Sequence, residues 1–175
     1  MNKSELHQLI DNKFGELSTW IKAQPRNEFA IQKVPNKWSN GEHLEHLRKT
    51  TRAINKGLKL PKLMLRFKFG KLKREEYSYD YLIENYLTQL KAQKVKAPAS
   101  VSPGKIENSD LDRILAWFDQ EKNALKKNVN HFSEAQLGKY VLPHPFIGKL
   151  SIREFTYFCC LHTEHHLDLM KKYNG

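Results

Sequence analysis

The stretch Ser151-Ile152-Arg153-Glu154-Phe155-Thr156-Tyr157-Phe158-Cys159-Cys160-Leu161-His162-Thr163-Glu164-His165-His166-Leu167-Asp168-Leu169-Met170-Lys171-Lys172-Tyr173 reads as one long helix. Ile152, Phe155, Cys159, His162, His166, Leu169 and Tyr173 follow the three-and-four spacing of a single helical face. Ser151 with Glu154 three residues on forms a capping-box signature that starts the helix, and Asn174-Gly175 ends it. Two histidines therefore stand inside a core-facing row. At i and i+4 they lie one turn apart, where both imidazoles reach one ion at about 2.0–2.1 Å if their rotamers converge. Without an ion, two buried rings each need a hydrogen-bond partner. The spacing alone leaves both readings open, a ligand pair or a pair of satisfied core histidines.

Working outward, the same periodicity recurs upstream. Leu6, Leu9, Ile10, Phe14, Leu17, Trp20 and Ile21 predict a helix over 2–23, closed by Pro25. In Trp38-Ser39-Asn40-Gly41-Glu42 a second capping box opens a helix to about Leu58, ahead of Pro61. This helix carries His43 and His46. On a wheel at 100° per residue the apolar set Leu44, Leu47, Ile54 and Leu58 centres closest to His43, with His46 toward an edge that also holds Thr50, Ala53 and Gly57, small residues that admit a neighbouring helix. Residues 61–77 read as a short helix or an irregular crossover. Tyr81, Leu82, Tyr86, Leu87 and Leu90 predict a further helix over 79–93, and 94–108, with Pro98, Pro103 and Gly104, a long loop. A helix then starts at Ser109 and runs through Leu111, Ile114, Leu115, Phe118, Leu125 and Val129, with Asp110 and Asp112 in its first turn. Ser133-Glu134-Ala135-Gln136 opens a short turn, and 142–150, with Pro143, Pro145 and Gly148, is not helical. Four long helices, one minor helix and no clear strand pair predict an all-α four-helix bundle with a long crossover.

The composition sets bounds on function. With 175 residues, the chain is expected to form one domain, 1–175, with a substantial core. Apolar residues at 39% and charged residues at 28% exclude disorder and collagen. The longest uncharged apolar stretch, 155–161, is far short of the roughly 20 residues of a membrane span, and the first residues hold no signal-peptide core, so a cytoplasmic location is expected. Cys159 and Cys160 are adjacent on a helix and cannot adopt ordinary disulfide geometry together, so both read as thiols. The 30 lysines and arginines against 19 acidic residues give a net charge of +11, a field that attracts nucleic acid, anionic lipid or acidic small molecules alike.

Trp38-Ser39-Asn40-Gly41-Glu42-His43-Leu44-Glu45-His46-Leu47 resembles the second-helix motif of the DinB/YfiT-like metalloprotein superfamily, in which Trp-Ser/Thr precedes a liganding His followed by Leu. His144-Pro145-Phe146-Ile147-Gly148-Lys149-Leu150-Ser151 and Leu161-His162-Thr163-Glu164-His165-His166-Leu167 resemble its last loop and helix, and the likeness runs in order from about residue 5 to 172. The resemblance implies a DinB-like bundle with His46, His162 and His166 as ligands of a divalent ion, zinc or nickel; His43, which the wheel favours, is the alternative to His46. Positions left open to water or substrate suit a catalytic ion. Such an ion lowers the pKa of bound water or holds a thiol as thiolate. Members that this chain resembles include bacillithiol S-transferases and a mycothiol-dependent maleylpyruvate isomerase, and others are described as metal-dependent hydrolases. The resemblance thus implies thiol S-transfer or hydrolase-like chemistry, with a low-molecular-weight thiol as cosubstrate and a small, anionic or thiol-containing substrate.

Around these ligands, His144 is read either as a general acid–base or as a hydrogen-bonding group of its turn. His165 points about 100° away from the pair, toward solvent or another helix. Glu42, Glu45 and Glu164 either orient an imidazole or stay on the surface, and Cys159 reads as core packing. A second class of function competes. Lys56, Lys59, Lys62, Arg66, Lys68, Lys71, Lys73 and Arg74 stand between Ala53 and Arg74 with no acidic residue, interleaved with Leu63, Met64, Leu65, Phe67 and Phe69. This basic 56–74 segment suits a non-enzymatic binding module for an anionic membrane surface or nucleic acid; otherwise its apolar side packs on the bundle beneath solvated lysines. No polymerase or nuclease constellation is visible, so nucleic acid is not the expected partner. A homodimer is the commonest oligomer to expect.

Overall fold

Each long helix begins where a polar side chain can take up the free N–H groups of its first turn. In the computed structural model, which describes residues 1–93 and 97–175, Asn2 and Glu5 form a reciprocal capping box for α1 (Lys3–Ala23), as do Ser39 and Glu42 for α2 (Asn40–Leu58). α3 (Lys62–Phe69) and α4 (Tyr79–Gln93) fill the crossover. A 3₁₀ turn, Asn108–Asp110, precedes α5 (Leu111–Asn130), so that helix starts two residues later than its acidic residues suggested. α6 (Glu134–Leu137) is the short turn capped by Ser133, and α7 (Ile152–Asn174) is capped by Ser151 with Glu154. Of the loop expected at 94–108, residues 94–96 lie outside the described residues.

α1, α2, α5 and α7 form a four-helix bundle in which α1 packs on α5 and α7, and α2 likewise packs on α5 and α7. Leu6, Ile10, Phe14 and Leu17 of α1, Leu44 and Leu47 of α2, Ile114 and Phe118 of α5 and Ile152 and Cys160 of α7 are at or near zero exposure. Phe14 stacks on Phe118 with centroids 4.9 Å apart. Burying one such ring contributes about 1.5–3 kcal/mol.

The segment 142–150 corrects the expectation of no strand pair. It forms most of an antiparallel hairpin of β1 (Val141–His144) and β2 (Gly148–Ser151), with Val141 opposite Ser151 and His144 opposite Gly148. Four-residue strands containing Pro143 are too short to show an alternating period, and Gly148 at φ +90° supplies the turn conformation that other residues resist. The hairpin also reassigns Gly57. A Cβ there would lie 3.0 Å from Leu142, so at Gly57 the small edge of α2 admits β1, while at His46 the same edge faces α7.

Glu154 ties the crossover to the bundle. Fully buried at the start of α7, it accepts hydrogen bonds from Arg74 at 2.6 and 3.1 Å, from the Tyr77 amide at 2.6 Å and from the Ser151 amide at 2.7 Å. Removing Arg74, itself 29% exposed, leaves the buried carboxylate with its two amide donors and costs about 1.5–3 kcal/mol, the usual worth of a hydrogen bond to a charged group. Among the described residues, no helix is long and apolar enough to cross a membrane.

Candidate metal centre

Three buried imidazoles from two helices converge between α2 and α7. His162 and His166 come from adjacent turns of α7, and His46 faces them from α2; each is 6% exposed. The His162 Nε2 lies 3.2 Å from His46 Nε2 and 3.1 Å from His166 Nε2. The ligand-capable atoms of the three all fall within 4.8 Å of one another. Two imidazole nitrogens bound at 2.0–2.1 Å to one tetrahedral ion stand about 3.3 Å apart, so the observed spacing fits a shared ion with little rotamer change. The sequence stripe on α7 shifts beyond this point: the buried face continues from His166 to Met170 and Asn174, while Leu169 and Tyr173 are half-buried, because the helix advances four residues there rather than three.

The outer nitrogens of two of these rings decide which nitrogen faces inward. His46 Nδ1 lies 2.9 Å from the Val101 carbonyl, which can only accept, so His46 Nδ1 carries the proton and its Nε2 presents a lone pair. His166 Nδ1 lies 2.7 Å from His43 Nδ1, a contact that holds only one proton. If His166 is to offer Nε2 to an ion, it donates from Nδ1 and His43 accepts. His43 then keeps its own proton on Nε2, a buried atom without a hydrogen-bond partner among the described residues. The wheel was right that His43 is buried, at 4% exposure, but its ring lies behind His166 and outside the convergent set.

Local structure explains this arrangement. Trp38, just before the Ser39 cap, packs against His46 at 5.0 Å, His43 at 5.4 Å and His166 at 6.0 Å between ring centroids. Asn174 at the end of α7 donates to the Trp38 carbonyl at 3.0 Å, fixing the start of α2 against the last turns of α7. Gly41 lets the loop after α4 cover this end: a Cβ there would approach Ile106 to 2.6 Å and Phe29 to 3.0 Å. That loop delivers the Val101 carbonyl.

The surroundings keep all the rings neutral. Burial, reinforced by the neighbouring imidazoles, pushes His162 and His166 well below the usual histidine value. Burial lowers His46 as well, and burial with the proximity of His46 and His165 takes His43 down to about 3. Neutral imidazole is the form that binds metal.

The remaining sequence candidates fall outside the cluster. His144 is buried, and its Nδ1 faces the amides of Phe146 and Ile147 at 3.4 and 3.3 Å, so it bonds its own turn. Its ring packs edge-on to Phe158 at 4.4 Å, and Phe158 stacks on His162 at 5.1 Å, which places one aromatic ring between His144 and the cluster. Burial lowers its pKa to about 4. His165 is half-buried against Tyr86 of α4 at 5.9 Å. None of the three carboxylates touches a histidine. Glu42 closes the α2 cap and meets Gln32, Glu45 pairs with Arg48 at 2.7 Å, and Glu164 pairs with Lys13 at 2.5 Å. Cys159 and Cys160 are buried free thiols, raised in pKa by burial, and Cys159 lies outside the ligand set. A surface cavity of about 460 Å³ lined by Arg48, Arg52, Asn55, Lys56 and Trp117 shares no residue with the cluster.

Two features of the site had no sequence signal of their own. A backbone carbonyl such as Val101 leaves no mark in residue identity, and the role of His43 depends on a ring–ring contact between helices.

Comparison with known proteins agrees with this architecture. A family model described as the DinB superfamily matches residues 10–170. The uncharacterized protein YuaE of Bacillus subtilis (strain 168) is 28% identical over 160 residues, covering 89% of this chain and 90% of YuaE. Among solved structures, YfiT from Bacillus subtilis, described as a probable metal-dependent hydrolase with an unusual four-helix bundle topology, superposes with a TM-score of 0.58 at 14% identity, covering 97% of this chain and 86% of YfiT. With the motif order, the bundle and the family match in agreement, the chain belongs to the DinB superfamily.

Proposed function

We propose that this protein is a divalent-metal-dependent enzyme whose ion, zinc or nickel, is held by His46, His162 and His166. One observation carries this reading: His162 Nε2 lies 3.1 Å from His166 Nε2 and 3.2 Å from His46 Nε2, with one ligand atom of each ring within 4.8 Å of the others, inside a region where burial lowers the pKa of the rings. Three neutral donors leave coordination positions open, which is the arrangement of a catalytic rather than a structural site. A bound ion supplies Lewis acidity, bringing water or a thiol to its anionic, nucleophilic form near neutral pH.

The chain's own residues do the rest. Val101 fixes the His46 ring through its carbonyl, and His43 fixes that of His166, so that both aim Nε2 inward. Trp38 covers the α2 side of the site and limits water there. His144, which enters through the resemblance of its loop, is the candidate proton carrier: with Nδ1 engaged by its turn its neutral ring bears the proton on Nε2, and Phe158 stands between it and the three-histidine cluster. The reaction class is hydrolysis or thiol S-transfer, with a small substrate and, for transfer, a low-molecular-weight thiol as cosubstrate. YfiT's description as a probable metal-dependent hydrolase supports the first, and the family resemblance of the histidine motifs supports the second.

Elemental analysis of untagged protein purified without chelator tests the centre. About one equivalent of zinc or nickel is expected, lost in His46→Ala and His162→Ala. Failure of the wild-type protein to retain or take up either metal rejects the proposal. Loaded protein then enters parallel hydrolysis and thiol-transfer screens.

A further inference from the structure

The crossover helix α3 turns an apolar face to solvent. Phe67 is 93% exposed, Leu63 77% and Met64 48%, whereas Leu65 is fully buried and Phe69 packs on the core. At about 100° per residue, Leu63, Phe67 and Met64 fall within one arc of about 100°, opposite the seated side. The expectation that this apolar side packs on the bundle thus holds for Leu65 and Phe69 alone. Arg66 and Lys68 flank the outward arc on either side, and both are exposed.

We infer that α3 and the basic residues around it form a docking surface for an anionic lipid bilayer. Lys56 and Lys59 from the end of α2 and Lys71 and Lys73 after α3 add exposed charge. Among the described residues, none of these four, nor Arg66 or Lys68, forms an ion pair. No direct pair offsets these charges, although Glu121 lines the same cleft as Lys56 and Lys59, and Arg66 and Lys139 together hold the Lys71 ammonium below its usual value. Beside α3 lies a shallow cleft of about 370 Å³ whose lining includes Lys71, Lys73 and Lys149, a place for a lipid phosphate at the foot of the apolar ridge.

The combination selects the partner. Nucleic acid rewards the lysines but leaves Leu63, Met64 and Phe67 in water. A second copy of this face would set like charges against each other. An anionic bilayer takes both parts at once, with the apolar ridge at the headgroup–acyl boundary and the flanking cations among the phosphates. One eight-residue helix gives reversible, salt-sensitive attachment.

Vesicle sedimentation with the full-length protein, as purified with its metal, tests this. Binding is expected to phosphatidylcholine vesicles containing 30% phosphatidylglycerol and not to phosphatidylcholine alone. It weakens at least tenfold between 0.1 and 0.5 M NaCl, about fivefold for each of Lys68→Gln and Lys71→Gln, and at least tenfold in Leu63→Ser/Phe67→Ser. These positions are exposed, and an unchanged melting temperature confirms that the variants fold. Phe67→Trp gives a second readout, a blue-shifted emission on vesicle addition. Absence of binding to the anionic vesicles overturns the inference, as does binding indifferent to Leu63→Ser/Phe67→Ser. Retention of a DNA duplex, or a dimer dissolved by those serines, without vesicle binding overturns it too. His162→Ala keeps vesicle binding, so this result and that of the metal analysis stand apart.

Discussion

His43 and His46 lie three residues apart on α2, and the nitrogen each has left over separates their roles. His46 spends Nδ1–H on the Val101 carbonyl and turns Nε2 to the cluster; His43 spends Nδ1 on His166 and leaves Nε2–H buried and unpaired. An unpaired buried donor costs about 1–3 kcal/mol. In the tautomer that offers His166 Nε2 to an ion, His43 thus carries this cost while fixing the tautomer of a proposed ligand. Replacing it separates the two effects. In His43→Leu the orphaned Nε2–H disappears but His166 Nδ1 loses its buried partner, so the melting temperature of the metal-free protein is expected to change little, while zinc affinity falls about 10–100-fold, the usual cost of losing a ligand's outer partner. His43→Asn, whose Oδ1 replaces Nδ1 as acceptor, restores most of the affinity. Competition against a chromogenic chelator reads the affinity, and ¹⁵N shifts of the His166 ring report whether Nδ1 keeps its proton. Equal affinities in the Leu and Asn variants would contradict the positioning role.

At the level of elements, the hairpin places His144 next to Phe158, and His144 in turn holds the hairpin. Its Nδ1 takes two amides of the 145–147 turn, so His144→Ala leaves them without that acceptor and is expected to cost about 1–2 kcal/mol. His144→Asn supplies an acceptor at the same place and recovers that stability, but has no ring Nε2–H. Under the proposed proton-carrier role both variants lose turnover while only Ala lowers the melting temperature, and full turnover in His144→Asn would leave His144 a turn residue. The four long helices were legible because three-and-four spacing and the cap pairs Ser39/Glu42 and Ser151/Glu154 are local signals. The hairpin was not, since its register is set by contact between chain segments and the segment carries two prolines, Pro143 in β1 and Pro145 in the turn. The convergence of His46 with His162 and His166 was legible only through motif order, because the wheel ranks burial and His43 is just as buried. The outward face of α3 was hidden for the same reason: apolar composition does not say which side a short helix seats.

Across the whole molecule, five histidines, His43, His46, His144, His162 and His166, are packed neutral into the bundle. Each has its folded-state pKa depressed by burial, to about 3 for His43 and about 4 for His144. In the unfolded chain they titrate near 6.5. Above that value both states are neutral and the histidines cost nothing. Below it the unfolded chain binds protons that the folded one refuses, so stability falls as pH drops, by up to about 1.4 kcal/mol per pH unit for each histidine, until the folded-state values are reached. The metal-free protein is therefore expected to hold a flat melting temperature from pH 8 to 7 and to lose stability steeply between pH 6.5 and 4.5. Metal and protons compete for the same nitrogens, so zinc should raise the melting temperature most near pH 8 and lose that effect toward pH 5. In His46→Ala the zinc effect should vanish at every pH while the acid limb persists with a shallower slope, because four buried histidines remain. Calorimetric scans from pH 8 to 4.5, with chelator and with excess zinc, measure both. A metal-free melting temperature that stays level down to pH 5 would mean that these rings take up protons in the folded state, against the depression that burial and the neighbouring imidazoles impose.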